Sequence, residues 1–263
     1  MILWCSYCQK LLGEQAPFDN PAFSHGLCPG CERRLDHDEL IIEETAPIRT
    51  LLRRILASAR VADYVACESI LADARALGLG ADSLLVGMLQ PALYQAGLDW
   101  QGLRMSVATE HRFTGWCERV FSMLPTAARR QPPIDLVIFQ APGNAHTVGP
   151  RFAAQVLAAR GLSAEAIVEG LPFEEMVEIA QQLRPRHLGL SCAMPQAVPV
   201  AADLIVRLRE RLEPALGARY LMSGFAFRLA GNAAAPTLPP GVDVVLDLGY
   251  FGDAFHHRPT LTA

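Results

Sequence analysis

The sequence predicts an α/β fold preceded by an all-α segment and a small cysteine-rich module. Three observations predict it. From residue 134 onward, short apolar runs alternate with amphipathic stretches, the pattern of a parallel sheet covered on both faces. Between about 40 and 124 apolar residues recur at helical spacing instead. The first ~35 residues hold two Cys-x-x-Cys pairs. The expected division is a four-cysteine module over 1–36, a helical domain over 37–130 and a Rossmann-like domain over 131–263.

In the amino-terminal module, Cys5 and Cys8 are separated by 19 residues from Cys28 and Cys31. Two such knuckles, zinc-ribbon-like in spacing, suit a four-thiolate zinc site, with the metal replacing a core too small to form alone. Pro29-Gly30 fits the turn inside the second pair. A redox-active dithiol pair and plain reduced cysteines are the alternatives, and His25 either joins the ligands or packs beside them. Seven cysteines, an odd number, speak against a disulfide framework.

The helical segment opens on one stripe, Ile48, Leu51, Leu52, Ile55 and Leu56. A second helix is expected over about 62–77, stopped by Gly78-Leu79-Gly80. A third is expected from an Asp82 N-cap through Tyr94, closing near Gly97, which leaves Trp100 in a loop. A fourth is expected over about 106–124, giving an antiparallel four-helix bundle. After Gln131-Pro132-Pro133, strands are expected at 134–141, 164–168, 187–194, 219–223 and 242–246, with helices at 147–160, 173–183 and 199–212. Five strands of this kind suit flavodoxin-like, doubly wound topology, with a ligand beyond the strand ends at the switch point. Cys67, Cys117 and Cys192 read as buried small hydrophobes, although Cys192 is also placed to touch a cofactor. The Phe255-His256-His257 tail reads as a frayed end.

Composition sets bounds. With 51% hydrophobic and 19% charged residues the chain can bury a sizeable core. A net charge of −4 argues against direct nucleic-acid binding. The Arg pairs at 33–34, 53–54 and 129–130 read as solvated faces or helix ends. No apolar run reaches the ~18 residues of a membrane span, and the start lacks a secretory signal pattern. A cytoplasmic protein is the expectation.

The loop Asn144-Ala145-His146-Thr147-Val148-Gly149 follows the first of these strands, and 41 residues separate Gly149 from Ser191-Cys192-Ala193, with Ser223-Gly224 further on. In this order and spacing the chain resembles the cobalamin-binding domains of methionine synthase and its relatives. There a D/E-x-H-x-x-G loop supplies the lower cobalt ligand, and S-x-L and G-G loops line the slot for the nucleotide tail. The resemblance implies cobalt ligation by His146, with Gly149, Ser191, Ala193, Ser223 and Gly224 around the tail. Asn144 stands where the family has an acid, Ala193 where it has Leu, and Ser223 where it has the first Gly. Asn144 is expected to accept the second ring proton of His146 without supplying charge, and so to give a less basic ligand.

Upstream, Trp100 is followed after nine residues by Glu110-His111. This resembles the helical cap of the light-dependent repressors that use adenosylcobalamin. It implies Trp100 over the upper corrin face with Glu110 and His111 near the upper ligand. Gln101 stands where those repressors have a second cobalt-binding His. The cysteine module resembles one appended to bacterial response regulators and sensor kinases. Together these resemblances imply a cobalamin-binding sensory protein, not itself an enzyme. It would bind adenosylcobalamin and zinc, respond to light, and signal through a protein partner in signalling or transcription. Its oligomeric state stays open. The alternatives are a corrinoid methyl-carrier subunit of a methyltransferase system and a haem sensor on the same scaffold.

Overall fold

The computed structural model describes residues 1–5, 8, 10–31, 46–125, 132–144, 146–229 and 238–248. The Arg pairs at 33–34 and 129–130, Gln131 and the 255–257 tail lie outside the described residues. The chain divides into two compact units, Met1–Pro125 and Thr126–Ala263. The cysteine module and the helices belong to the same unit.

That first unit begins with a small sheet of three strands among the described residues, Ile2–Cys5 (β1), Leu11–Glu14 (β2) and Phe23–Gly26 (β3). β1 lies in the middle, antiparallel to β2 and parallel to β3. From residue 46 to residue 125, four helical stretches follow. Ala46–Val61 (α1) carries the predicted stripe, with Ile48, Leu51 and Ile55 buried and Leu52 and Leu56 half-buried. Ala66–Ala76 (α2) follows after a short turn. The third stretch runs through Ala81–Leu84 (α3), a π-helical turn Leu85–Leu89 and Gln90–Gln101 (α4). The last is Val107–Ser122 (α5). Trp116 of α5 is fully buried and its indole N–H donates to the Asp63 carbonyl at 2.8 Å, tying α5 to the α1–α2 turn.

The third stretch corrects three expectations. Gly80, not Asp82, occupies the N-cap, and Asp82 Oδ1 accepts from the Ser83 backbone N–H inside the first turn. Gly97 does not close the helix, which continues through Trp100 to Gln101. Trp100 is therefore helical rather than in a loop. The π-turn has a local cause: Pro91 has no N–H to bond the Gly87 carbonyl four residues back, and its ring crowds that carbonyl.

The second unit is a sheet of five parallel strands among the described residues: Leu136–Gln140 (β4), Ala164–Ile167 (β5), His187–Ser191 (β6), Arg219–Ser223 (β7) and Val242–Val245 (β8). The order β5-β4-β6-β7-β8 is flavodoxin-like, with the switch point between β4 and β6. The helices are Val148–Ala159 (α6), Phe173–Leu183 (α7), Val198–Leu216 (α8) and the short Phe225–Leu229 (α9). Alternate residues of β4 serve opposite faces. Val137 and Phe139 pack with Met176, Ala180, Ile205 and Leu208, whereas Leu136 and Ile138 pack with Leu157.

Candidate functional site

The carboxyl edge of the sheet brings most of the predicted loop residues together. Gln140, Ser191 and Ser223 are paired in register at the last positions of β4, β6 and β7. The loop after β4 is fastened to this row by Asn144, which is 8% exposed. Its side-chain Nδ2 donates to the Ser191 carbonyl at 3.1 Å, and its Oδ1 accepts from the His146 backbone N–H at 3.2 Å. In this structure the Asn144 oxygen therefore meets the His146 backbone N–H, and its second lone pair is the one a ring N–H would use. A carboxamide suits this place because it donates and accepts at once, which a carboxylate cannot do. Gln140 Nε2 also donates to the Asn144 carbonyl.

His146 itself is exposed, carried on this pinned loop beside the switch point. Gly149, in the first turn of α6, has nothing within 4 Å of where a Cβ would stand. Ser223 Oγ donates to the Val245 carbonyl at 2.7 Å. Gly224 has φ +117°, and a Cβ there would lie 2.2 Å from the Cys192 carbonyl oxygen. Its close backbone approach is thus to the neighbouring loop of its own fold. Ala193 continues that loop, and Cys192 is buried with its Sγ directed to the Met194 carbonyl at 3.4 Å. Burial raises the Cys192 thiol above its ordinary range.

Gln140 went unrecognised in the sequence. Its Oε1 is buried and has no hydrogen-bond partner among the described residues, an unmet acceptor beneath the His146 loop. The available signal was a carboxamide ending an otherwise apolar strand, Leu136-Val137-Ile138-Phe139-Gln140. The described cleft of about 390 Å³, lined by Arg209, Tyr220 and Asp243 among others, lies at the opposite, amino-terminal ends of β7 and β8. It has no part in this row.

In the first unit, Ser106 caps α5 by accepting from the Thr109 N–H at 3.2 Å. One turn on, Thr114 Oγ1 donates to Glu110 Oε1 at 2.8 Å, and Glu110 Oε2 lies 3.8 Å from His111 Nε2. The His111 side chain is 74% exposed. Trp100 is half-buried and follows Asp99, which the sequence did not single out. The Asp99 carboxylate accepts from Gln95 Nε2 at 3.0 Å, Arg104 Nε at 3.1 Å and Arg60 Nη2 at 2.9 Å. Its backbone carbonyl also accepts from the N–H groups of Arg104 and Met105. This knot carries the helix past Gly97 and fixes its Trp100 end.

The sulfur atoms of Cys5, Cys8, Cys28 and Cys31 all lie within 4.8 Å of one another, with Cys8 Sγ 3.7 Å from Cys28 Sγ. A tetrahedron with Zn–S bonds of about 2.3 Å has S···S edges of roughly 3.8 Å, so the four thiols fit such an ion. The Cys28 backbone N–H donates to Cys5 Sγ at 3.4 Å. Burial pushes the Cys31 thiol up to about 12, whereas the Cys31 backbone N–H holds Cys28 below its ordinary range.

The model for the B12 binding domain matches residues 51–124, the span from α1 to just beyond α5. The matched span coincides with the helical stretches of the first unit, a match that supports cobalamin as a cofactor. The fold is similar to that of the monomethylamine corrinoid protein of Methanosarcina barkeri, at 14% identity and a TM-score of 0.61, over 79% of this chain and 97% of that one. A cobalamin-binding protein from Desulfitobacterium hafniense DCB-2 aligns at 12% identity and a TM-score of 0.35, over 78% of this chain and 97% of that one. The methanol:cobalamin methyltransferase complex of Methanosarcina barkeri aligns at 14% identity and a TM-score of 0.30, over 76% and 82%. No curated protein matches the sequence. Among the described residues no helix is long and apolar enough to cross a membrane.

Proposed function

We propose that the chain is a corrinoid protein that carries a methyl group for a partner enzyme, with His146 as the lower cobalt ligand. The observation that carries this reading is the exposed His146 on a loop pinned at the switch point, in a chain whose helices match the B12 binding domain. A bound corrinoid supplies the cobalt chemistry of methyl exchange. The chain's own residues hold and orient it. His146 would offer an imidazole nitrogen, Asn144 and Gln140 hold its loop, and Ser191, Ala193, Ser223 and Gly224 would help to hold the corrinoid. On this reading the chain is not itself an enzyme, and catalysis belongs to the partner that loads and unloads it.

A second reading is kept alive by Trp100 followed after nine residues by Glu110-His111. It makes the chain a sensor of light through adenosylcobalamin. One experiment separates the two. The full chain is loaded with methyl- or adenosylcobalamin, and spectrum and hydrodynamic size are followed in darkness and after green light. The carrier reading expects the methyl form to give up its methyl group to a thiol or folate acceptor when the partner enzyme is added, with no light-driven change of size. A light-driven change of size with the adenosyl form, and no methyl transfer, would replace it with the sensor reading.

We also assign one zinc ion to Cys5, Cys8, Cys28 and Cys31. Elemental analysis is expected to find about one zinc per chain. A metal-free, folded protein with two disulfides would overturn the assignment.

A further inference from the structure

The cysteine module is not an appendage beside the B12 binding domain; its sheet is seated on the π-turn. Trp4, the residue before Cys5, is buried, and a Cβ at Gly87 would lie 2.3 Å from its Cζ2 and 3.3 Å from Leu11 Cδ1. Only glycine lets the indole lie this close to the helix. Glu14, at the end of β2, accepts from Gln90 Nε2 at 2.7 Å, directly after the turn. Phe23 of β3 meets Trp4 at 6.0 Å between ring centres. The Trp4 indole N–H is buried with no partner among the described residues, so the ring is held here by packing and not by a hydrogen bond.

The turn it grips lies where the helix ladder is interrupted. Leu85–Leu89 is π-helical, and Pro91 cannot donate to Gly87. The sheet that grips it has strands of four residues and few buried side chains of its own, too little to hold together without a cross-link.

We propose that a metal ion on the four thiolates fastens Trp4 onto Gly87, so that metal occupancy sets the local stability of the π-turn and of the helix ending at Gln101. This rests on the zinc assignment above and not on the cobalamin reading. The ion would cross-link β1, which carries Trp4 and Cys5, to the second knuckle after β3. Without it the strands part, the indole leaves Gly87, and Leu85–Gln101 becomes the first helical segment of the unit to open.

The test uses the full, reduced chain, stripped of metal with a chelator and titrated with zinc sulfate alone. Uptake is followed by elemental analysis, and amide exchange is compared between 85–101 and α6 as an internal control. Zinc is expected to slow exchange at 85–101 by about tenfold or more and to leave α6 unchanged. Cys8→Ser, at the exposed cysteine, should lose both uptake and protection. Gly87→Ala should keep uptake and lose protection, and Trp4→Phe provides the same dissociation should Gly87→Ala fail to fold. Zinc uptake with no change at 85–101 overturns the clamp and leaves the zinc assignment standing. No uptake overturns both, and neither result bears on cobalamin binding, which is read from the visible spectrum.

Discussion

The two ends that present the candidate cofactor residues are fastened by opposite chemistry. The loop bearing His146 is held by neutral carboxamides, Asn144 to the Ser191 carbonyl and Gln140 to the Asn144 carbonyl. The helix end bearing Trp100 is held by a charge, the Asp99 carboxylate between Arg60 and Arg104. The difference follows from burial. The hydrogen bonds described for Asn144 and Gln140 are all to backbone groups, and a neutral group that donates and accepts costs least at a buried sheet edge. Asp99 is equally buried, but the side chains of its arginines are 56% and 63% exposed, so two mobile cations meet a fixed anion at the surface. The first arrangement holds geometry regardless of pH and salt. The second depends on charge.

The largest effect should come from removing the charge. Asp99→Ala is expected to cost about 3 kcal/mol, at the lower end for breaking a buried pair because the freed arginines regain water. Denaturant unfolding of the first unit, followed by its tryptophan emission, checks this. A loss below about 1 kcal/mol would place Asp99 with ordinary surface pairs. Next comes Asn144→Ala, expected to cost about 2 kcal/mol by leaving the Ser191 carbonyl and the His146 N–H less well satisfied. Asn144→Asp should do no better, since it keeps the acceptor, loses the donor and sets a charge against a carbonyl. An Asp variant as stable as the wild type would show that the donor contributes nothing.

A pH effect should appear in the sheet unit and not through its carboxamides. Burial lowers the His187 pKa, with Arg219 and Arg186 adding to the effect and the Asp135 carbonyl opposing it. Folded His187 therefore stays neutral where the unfolded chain already takes a proton. Below about pH 6.5 the unfolded state binds more protons and stability falls as pH falls. His187→Gln should flatten that slope, measured as the denaturant midpoint against pH. An unchanged slope would mean that other groups carry it. The smallest effect is expected at Gly149. With open space around its Cα, Gly149→Ala should change stability by no more than about 0.5 kcal/mol while weakening corrinoid binding, which separates a ligand-facing glycine from a structural one.

These contrasts also explain what could be read in the sequence. The five strands and their winding were legible because each apolar run is short, bounded by turn residues and separated by an amphipathic helix. The helices of the first unit were legible from stripes such as Ile48, Leu51 and Ile55. The end of the third helical stretch was not. A glycine costs a helix only about 1 kcal/mol, and the Asp99 knot, made with residues 39 positions upstream and 5 downstream, outweighs it at Gly97. Asp82 carried a capping residue type two residues too deep, after Gly80 had already taken the cap. At the site, the spacing of His146, Ser191 and Ser223 showed which loops converge, but not that Asn144 also ties its own loop to the Ser191 carbonyl. Long-range packing such as Trp4 on Gly87 leaves no local signal.

The claim that His146 binds cobalt is tested most directly by electron spin resonance of the bound cobalt(II) corrinoid, prepared with histidine labelled with the spin-half nitrogen isotope. A protein imidazole on cobalt should turn the ligand splitting from triplets into doublets, and His146→Ala should abolish the doublets. Triplets unchanged by the label would mean that the lower ligand is not a histidine, and would contradict this account.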